Sequence, residues 1–347
     1  MKLGIIPITL VAGLLLTACG NDDGVSPATT VTVPVATTPT TTAAPSTTTT
    51  VPAEPLPVVA VTYSVLAEAV APLVEGVAEV LVVIPNGQDP HDFSPSAKDV
   101  ERMSSSVIII ANGLGLEEGL VDVIGRLERD GVPVFRVSDH VTLLELGADD
   151  DHGHDHGHDH GHSHGHSHGH DHDKDDDHDH GPEDPHVWTD PLTLAEMLPA
   201  LGEELQAVLG VFLGDAVTAA VAEMQAIHAE AAAIMAAVPD CTLVTGHDSM
   251  QYFARRYGCE VIGAVIPSLS TGAEPSAGEL AALRRVASAA GVKAIFTELG
   301  TPQRVAEQIS REVGVPLVEL STHVISAGGG YRNFLLDLAR DIAEALS

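Results

Sequence analysis

The sequence is poor in aromatic residues, in cysteine and in positive charge. Aromatics make up 3% of 347 residues, with a single tryptophan. Stacking platforms for bases are therefore not expected. Lys and Arg number 16 against 49 Asp and Glu, a formal charge of −33. With no basic footprint to replace phosphate counterions, nucleic acid is not an expected partner. The three cysteines show no CxxC spacing, which argues against a thiolate metal site. No Ser/His/Asp or Cys/His arrangement, phosphate-binding glycine loop or paired-carboxylate motif stands out, and no enzyme is expected. What remains is a chain that is 44% hydrophobic, enough to bury a core, and long enough for about two domains.

Histidine is the residue in excess, with 19 in all. Thirteen fall in one tract: His152, His154, His156, His158, His160, His162, His164, His166, His168, His170, His172, His178 and His180. The stretch Asp149 to Asp184 adds thirteen carboxylates and one Lys174, a local net charge of −12 that leaves −21 for the rest. Its Gly-His-Asp-His and Gly-His-Ser-His repeats cannot form a core. Alternating His and Asp offer many interchangeable ligand sets, so residues 149–181 are expected to be a disordered, weaker collector of zinc. Protonation should switch it off below about pH 6.5.

The N-terminus begins with Met1 and Lys2, then a hydrophobic run of 12 residues, Ile5–Leu16. That run has signal-peptide length and is too short to span a bilayer. It ends in Leu16-Thr-Ala-Cys-Gly20, which resembles a bacterial lipobox. Residues 1–18 are thus expected to be a lipoprotein signal peptide, with Cys19 lipidated. Residues 21–57 carry 12 Thr and 7 Pro without apolar periodicity, so 19–57 is expected to be a disordered tether. The expected location is extracytoplasmic, anchored by lipid to a bacterial membrane. An extracellular setting permits a disulfide between Cys241 and Cys259, each beside a strand-like run, rather than two buried free thiols.

The body reads as α/β. Strand-length apolar runs at Val58–Thr62, Val80–Ile84, Val107–Ala111 and Val134–Val137 form a first set. Leu243–Thr245, Val261–Ala264, Ala294–Thr297 and Leu317–Leu320 form a second. Helical patterns separate them, which predicts parallel sheets built from βαβ units. The expectation is two lobes, residues 58–190 and 239–347, each with about four mainly parallel strands flanked by helices. Residues 191–238 are expected to be helical, opening on an Asp190-Pro191 cap and containing a long rigid helix that bridges the lobes.

Six histidines lie outside the tract. His140 and His228 have no special placement and read as structural or solvated. His91, His247 and His323 each follow a predicted strand. In open α/β sheets, ligands bind outside the carboxyl ends of strands. His186 precedes the middle helix in Asp184-Pro-His, which repeats the tripeptide Asp89-Pro-His91. A lone histidine is more often a core or loop residue, but four at such positions predict one metal site in the cleft between the lobes.

These segments carry a family resemblance. Asn86-Gly-Gln-Asp-Pro-His91-Asp-Phe-Ser-Pro-Ser96, Ala111-Asn-Gly-Leu-Gly-Leu-Glu117, Asp184-Pro-His-Val-Trp-Thr-Asp-Pro191 and Thr245-Gly-His-Asp-Ser-Met-Gln-Tyr-Phe-Ala-Arg-Arg-Tyr-Gly258 resemble, in order, motifs of the zinc/manganese solute-binding proteins of ABC transporters. The likeness runs from about Val58 to the C-terminus. The His/Asp tract falls where zinc-binding, ZnuA-like members carry such a loop. The resemblance implies His91, His186 and His247 as ligands, and a fourth ligand after the last strand. That position, usually a carboxylate, falls on Ser321 or His323; His323 is the better ligand, with Glu319 the alternative. Glu298, Asp184 and Asp248 are expected to orient ligand imidazoles.

An all-histidine shell favours Zn²⁺ over Mn²⁺. The expected function is a monomeric receptor that captures zinc outside the membrane and delivers it to the permease of an ABC importer. The alternatives are a metal-containing surface adhesin, an extracellular zinc buffer, or a manganese receptor of the same family.

Overall fold

The computed structural model describes residues 55–144, 183–326 and 328–347. The expected signal peptide, the lipidated Cys19, nearly all of the tether and the thirteen-histidine tract lie outside them. No helix among the described residues is long and apolar enough to cross a membrane.

The first lobe is a parallel four-stranded sheet. Its strands are β1 (Val58–Tyr63), β2 (Glu79–Ile84), β3 (Ile108–Ala111) and β4 (Val134–Arg136), in the order β2-β1-β3-β4. Helices α1 (Ser64–Val74), α2 (Ala97–Ser104) and α3 (Val121–Arg129) make the crossovers. The run Ile108-Ile-Ile-Ala111 has no polar alternation because every residue of β3 is buried, as a central parallel strand covered on both faces requires.

The second lobe holds β5 (Thr242–His247), α6 (Gln251–Tyr257), β6 (Glu260–Ile266), α7 (Ala277–Ala290), β7 (Ile295–Thr297), α8 (Gln303–Val313), β8 (Leu317–Glu319) and α9 (Tyr331–Leu346). Its four strands are paired two by two, β5 with β6 and β7 with β8, all parallel. β5 runs beside β7 without a ladder between them. At the end of β5 the His247 N–H, which a ladder would direct to a backbone carbonyl, instead donates to the Glu298 carboxylate at 2.9 Å.

Between the lobes stand α4 (Pro191–Leu209) and α5 (Gly214–Met235). Asp190 caps α4 through the Leu192 N–H, with Pro191 in the first turn, and Gly210 ends it in the left-handed conformation. α5 has 22 residues, about 33 Å of helix, and packs against α4, α9 and α1. One apolar core therefore runs through both lobes, from Leu66 and Leu201 to Ile227, Phe253 and Leu335. A smaller cluster around Val244, Val265, Ile295 and Ile309 serves the second lobe alone. Trp188, fully buried, sits at the seam: its ring lies 5.0 Å from that of Tyr63, and Tyr331 Oη donates to its carbonyl at 2.8 Å.

Cys241 and Cys259 are bonded and lie 18 residues apart at the amino ends of β5 and β6. Replacing both by serine should lower the unfolding free energy by about 3 kcal/mol in a urea titration. A loss below about 1 kcal/mol would mean that the unfolded chain gains little freedom from the cut.

Candidate metal centre

Three of the four histidines lie at or beyond the carboxyl end of a strand, and the fourth enters from the start of the helical layer. His91 lies in the loop after β2, and His247 is the last residue of β5. His323 follows β8 by four residues, and His186 precedes α4. In both Asp-Pro-His tripeptides the aspartate Oδ1 accepts the histidine N–H, at 3.0 Å for Asp89–His91 and 2.9 Å for Asp184–His186. These are Asx-type turns, in which proline supplies no competing N–H. A further tie fixes the second loop. Asn112, at the end of β3, donates from Nδ2 to the Pro185 carbonyl at 2.8 Å. Asn112 is itself held by the buried Glu117, which accepts its N–H at 2.7 Å and the Thr62 hydroxyl at 2.5 Å. That network gives the Ala111–Glu117 motif its role.

The four side chains converge. Each offers one ligand atom, and the four atoms lie within 4.8 Å of one another. Exposure is 6% for His91, 0% for His186 and His247, and 2% for His323. His186 Nε2 lies 3.4 Å from His91 Nε2 and 3.1 Å from His247 Nε2. A tetrahedral ion with Zn–N bonds of about 2.0–2.1 Å needs ligand nitrogens about 3.3–3.4 Å apart. The observed pairs bracket that edge.

Outer partners decide which nitrogen faces inward. His186 Nδ1 is 2.7 Å from Asp184 Oδ1, and His247 Nδ1 is 2.8 Å from Glu298 Oε1. Both oxygens already accept the backbone N–H of the same histidine, so the ring donates as well. With Nδ1 as donor, each neutral ring presents an Nε2 lone pair to the centre. The His186 and His247 Nε2 atoms, 3.1 Å apart, are then close enough to share one proton in a hydrogen bond or one cation between them. His323 Nδ1 meets the Thr322 hydroxyl at 2.9 Å, which leaves its Nε2 buried without a hydrogen-bond partner among the described residues. His91 Nδ1 is 3.4 Å from Glu118 Oε1, and that oxygen accepts the Ser270 hydroxyl of the second lobe at 2.5 Å.

The electrostatics agree. Burial, then the charge at His247, holds His186 and His323 well below the ordinary imidazole range. Burial also works against a proton on His247, but the charge and hydrogen bond of Glu298 outweigh it and leave its pKa raised. Burial would raise Glu298, yet His247 and His323 hold it well below the usual carboxylate range. Burial pushes Asp184 up to about 7, and its Oδ2 has no hydrogen-bond partner among the described residues. The cluster thus accommodates one positive charge, and two carboxylates stand ready to balance a divalent one.

One expectation needs correction. Asp248 does not orient a ligand imidazole: it accepts from Gln251 Nε2 at 2.7 Å, and Ser249 takes the adjacent role by donating to Glu298 at 2.9 Å. Glu319 is exposed on β8 and outside the cluster. His140 stacks on Phe135 at 4.4 Å and His228 on Tyr257 at 5.8 Å, both remote from it. Glu118 and Thr322 were not legible as ring partners, because only the fold brings Glu118 to His91 and Thr322 is an ordinary loop residue in sequence.

Two α/β lobes joined by a helical layer, with a polar cluster buried at their seam, define a two-lobed binding protein. Residues 59–346 match the family described as "ZnuA: Zinc-uptake complex component A periplasmic", and the chain belongs to that family. It is similar to the zinc-binding lipoprotein AdcA of Streptococcus pneumoniae, 25% identical over 270 residues, which cover 73% of this chain and 48% of the relative. The chain thus spans about half the length of the curated relatives it matches first. Among solved structures it is similar to the periplasmic zinc-binding protein TroA of Treponema pallidum. There the identity is 25%, the TM-score 0.69, and the coverage 84% of this chain and 99% of the other. A solved ZnuA shares the fold at 20% identity and a TM-score of 0.62, covering 84% of this chain and all of that one.

Gly246 permits the approach of Glu298 to His247, since a Cβ there would meet Thr301 Oγ1 at 2.0 Å and Glu298 Cγ at 3.0 Å. In metal-free protein, Glu298→Gln should lower the His247 pKa, because the charge and hydrogen bond that oppose burial most strongly are lost and only the smaller effects of Asp89 and Asp184 remain. An NMR titration of the His247 ring reads this directly. An unmoved pKa would show that Glu298 does not hold the ring.

Proposed function

We propose that the protein is an extracytoplasmic receptor that binds one Zn²⁺ between its lobes and delivers it to the permease of an ABC importer. The observation that carries this reading is the convergence of four buried imidazoles whose ligand atoms lie within 4.8 Å of one another, two of them with Nδ1 donating to a carboxylate and two Nε2 pairs 3.1 and 3.4 Å apart, near the edge of a zinc tetrahedron. His91, His186, His247 and His323 would be the ligands. The AdcA and TroA names point to the same metal.

The donor set selects zinc. Imidazole nitrogen is a borderline donor that suits Zn²⁺, whereas Mn²⁺ prefers carboxylate and water and binds nitrogen more weakly. Four neutral ligands leave the 2+ charge of the ion intact; Asp184 and Glu298 balance it one bond further out. A tetrahedral shell filled by protein leaves no position for an activated water, so the arrangement suits carriage and not hydrolysis. Cys19 would carry the lipid, residues 19–57 would space the body from the membrane, and the thirteen-histidine tract would gather zinc near the cleft.

Trp188 supplies an intrinsic probe, since its ring lies 5.3 Å from that of His186 and 5.2 Å from that of His323. Titrating apo protein with Zn²⁺ and Mn²⁺ in competition should change its emission and show zinc ahead by more than about tenfold. Manganese ahead by that factor would overturn the assignment. Deleting residues 149–181 should leave one tight zinc and remove the weaker ones. A stoichiometry of one before and after the deletion would refute a collecting role for the tract.

A further inference from the structure

We infer that Asn86 is a positioning residue for the fourth ligand, acting from the opposite lobe, and so helps set the metal preference of the site. This rests on the four-nitrogen reading above. His323 belongs to the second lobe, but the chain around it leaves that lobe's framework early. Leu320 N donates to the Thr297 carbonyl at 2.7 Å. Beyond that bond, the backbone ties on residues 321–325 come from the first lobe, while the Ser326 carbonyl accepts the Gly329 N–H of its own segment at 2.9 Å. Trp188 Nε1 donates to the Thr322 carbonyl at 2.9 Å. Asn86, in the loop after β2, grips Ile325 twice: its Nδ2 donates to the Ile325 carbonyl at 2.8 Å and its Oδ1 accepts the Ile325 N–H at 2.7 Å. The two ties therefore bracket His323, one on the residue before it and the other two residues after.

The chemistry of the grip is specific to a carboxamide. Only Asn or Gln presents a donor and an acceptor side by side, as a neighbouring peptide would, and Asn is the shorter. Asp could accept the N–H but would turn an acceptor toward the carbonyl. Next to this contact the segment borders an open groove of about 640 Å³ lined by Ser64, Glu68 and Gly328, so packing supports it on one side only. Gly328 and Gly330, both at positive φ, lead from it into α9 and place little constraint of their own.

Releasing the segment removes one nitrogen and leaves His91, His186 and His247, which other contacts hold. A three-nitrogen site open to water is less suited to zinc and more tolerant of metals that take five or six ligands. Asn86 touches no metal-ligating atom; its influence passes through the Ile325 backbone to His323.

The test compares wild type, Asn86→Ala, Asn86→Asp, His323→Ala and the Asn86→Ala/His323→Ala double variant of the full chain. Asn86 is exposed, and thermal melts establish that each variant is folded. Zinc and manganese affinities are measured against a chromophoric chelator, and Co²⁺ absorption reports coordination number. Both Asn86 variants should lose about tenfold in zinc affinity, within the range for residues that orient a ligand. Manganese affinity should fall less, and the intense bands of four-coordinate Co²⁺ should weaken toward those of a hydrated site. The double variant should bind no worse than His323→Ala. A loss in His323→Ala with none in either Asn86 variant overturns this inference alone, as do losses that add in the double variant. Zinc binding untouched in His323→Ala overturns both the inference and the four-nitrogen reading.

Discussion

Four imidazole lone pairs aimed at one buried point cost energy until a cation occupies it, and the rest of the molecule is arranged to keep them aimed. Asp184 and Glu298 fix two rings by accepting hydrogen bonds from both the Nδ1–H and the backbone N–H of the same residue. Thr322 and Glu118 stand at the Nδ1 atoms of the other two. The raised pKa of His247 and the depressed values of His186 and His323 are the proton's version of the same demand: one charge is welcome and a second is not. A divalent ion held by all four nitrogens, as proposed, would meet that demand better than a proton, which at most two of them can share.

The lobes supply the rigidity this aim requires. A continuous core and a 22-residue helix couple them. Around the rim, hydroxyls of the second lobe meet carboxylates of the first, Ser270 with Glu118 and Thr271 with Asp89 at 2.7 Å. Gly300, at positive φ, lets the loop after β7 reach that point, for a Cβ there would lie 2.3 Å from Asp89 Oδ2. Asp89 also accepts the His91 N–H, and Glu118 lies 3.4 Å from the His91 Nδ1, so the contacts between the lobes are made beside the first histidine.

Much of this was legible beforehand, for physical reasons. Apolar runs such as Ile108–Ala111 announce parallel strands, strand ends announce where ligands gather, and a repeated Asp-Pro-His announces a turn that holds a side chain. What escaped was whatever depends on tertiary proximity. Glu118 and Asn86 act on residues that the chain brings near only after folding. Asp248, next to His247 in sequence, turns instead to Gln251, because Glu298 already occupies the His247 Nδ1 side. The pairing of the second lobe into two ribbons was hidden for the same reason.

The histidines stand at 91, 186, 247 and 323, on segments that meet only when both sheets and the helical layer are in place. An ion therefore has nothing to organise in the unfolded chain, in contrast to small zinc domains whose ligands lie within one or two turns and whose metal drives folding. Here the polypeptide must complete its slow, long-range assembly without help. In return, the segments that carry the four imidazoles are held by the apolar cores of both lobes, and their juxtaposition does not depend on an ion to draw them together.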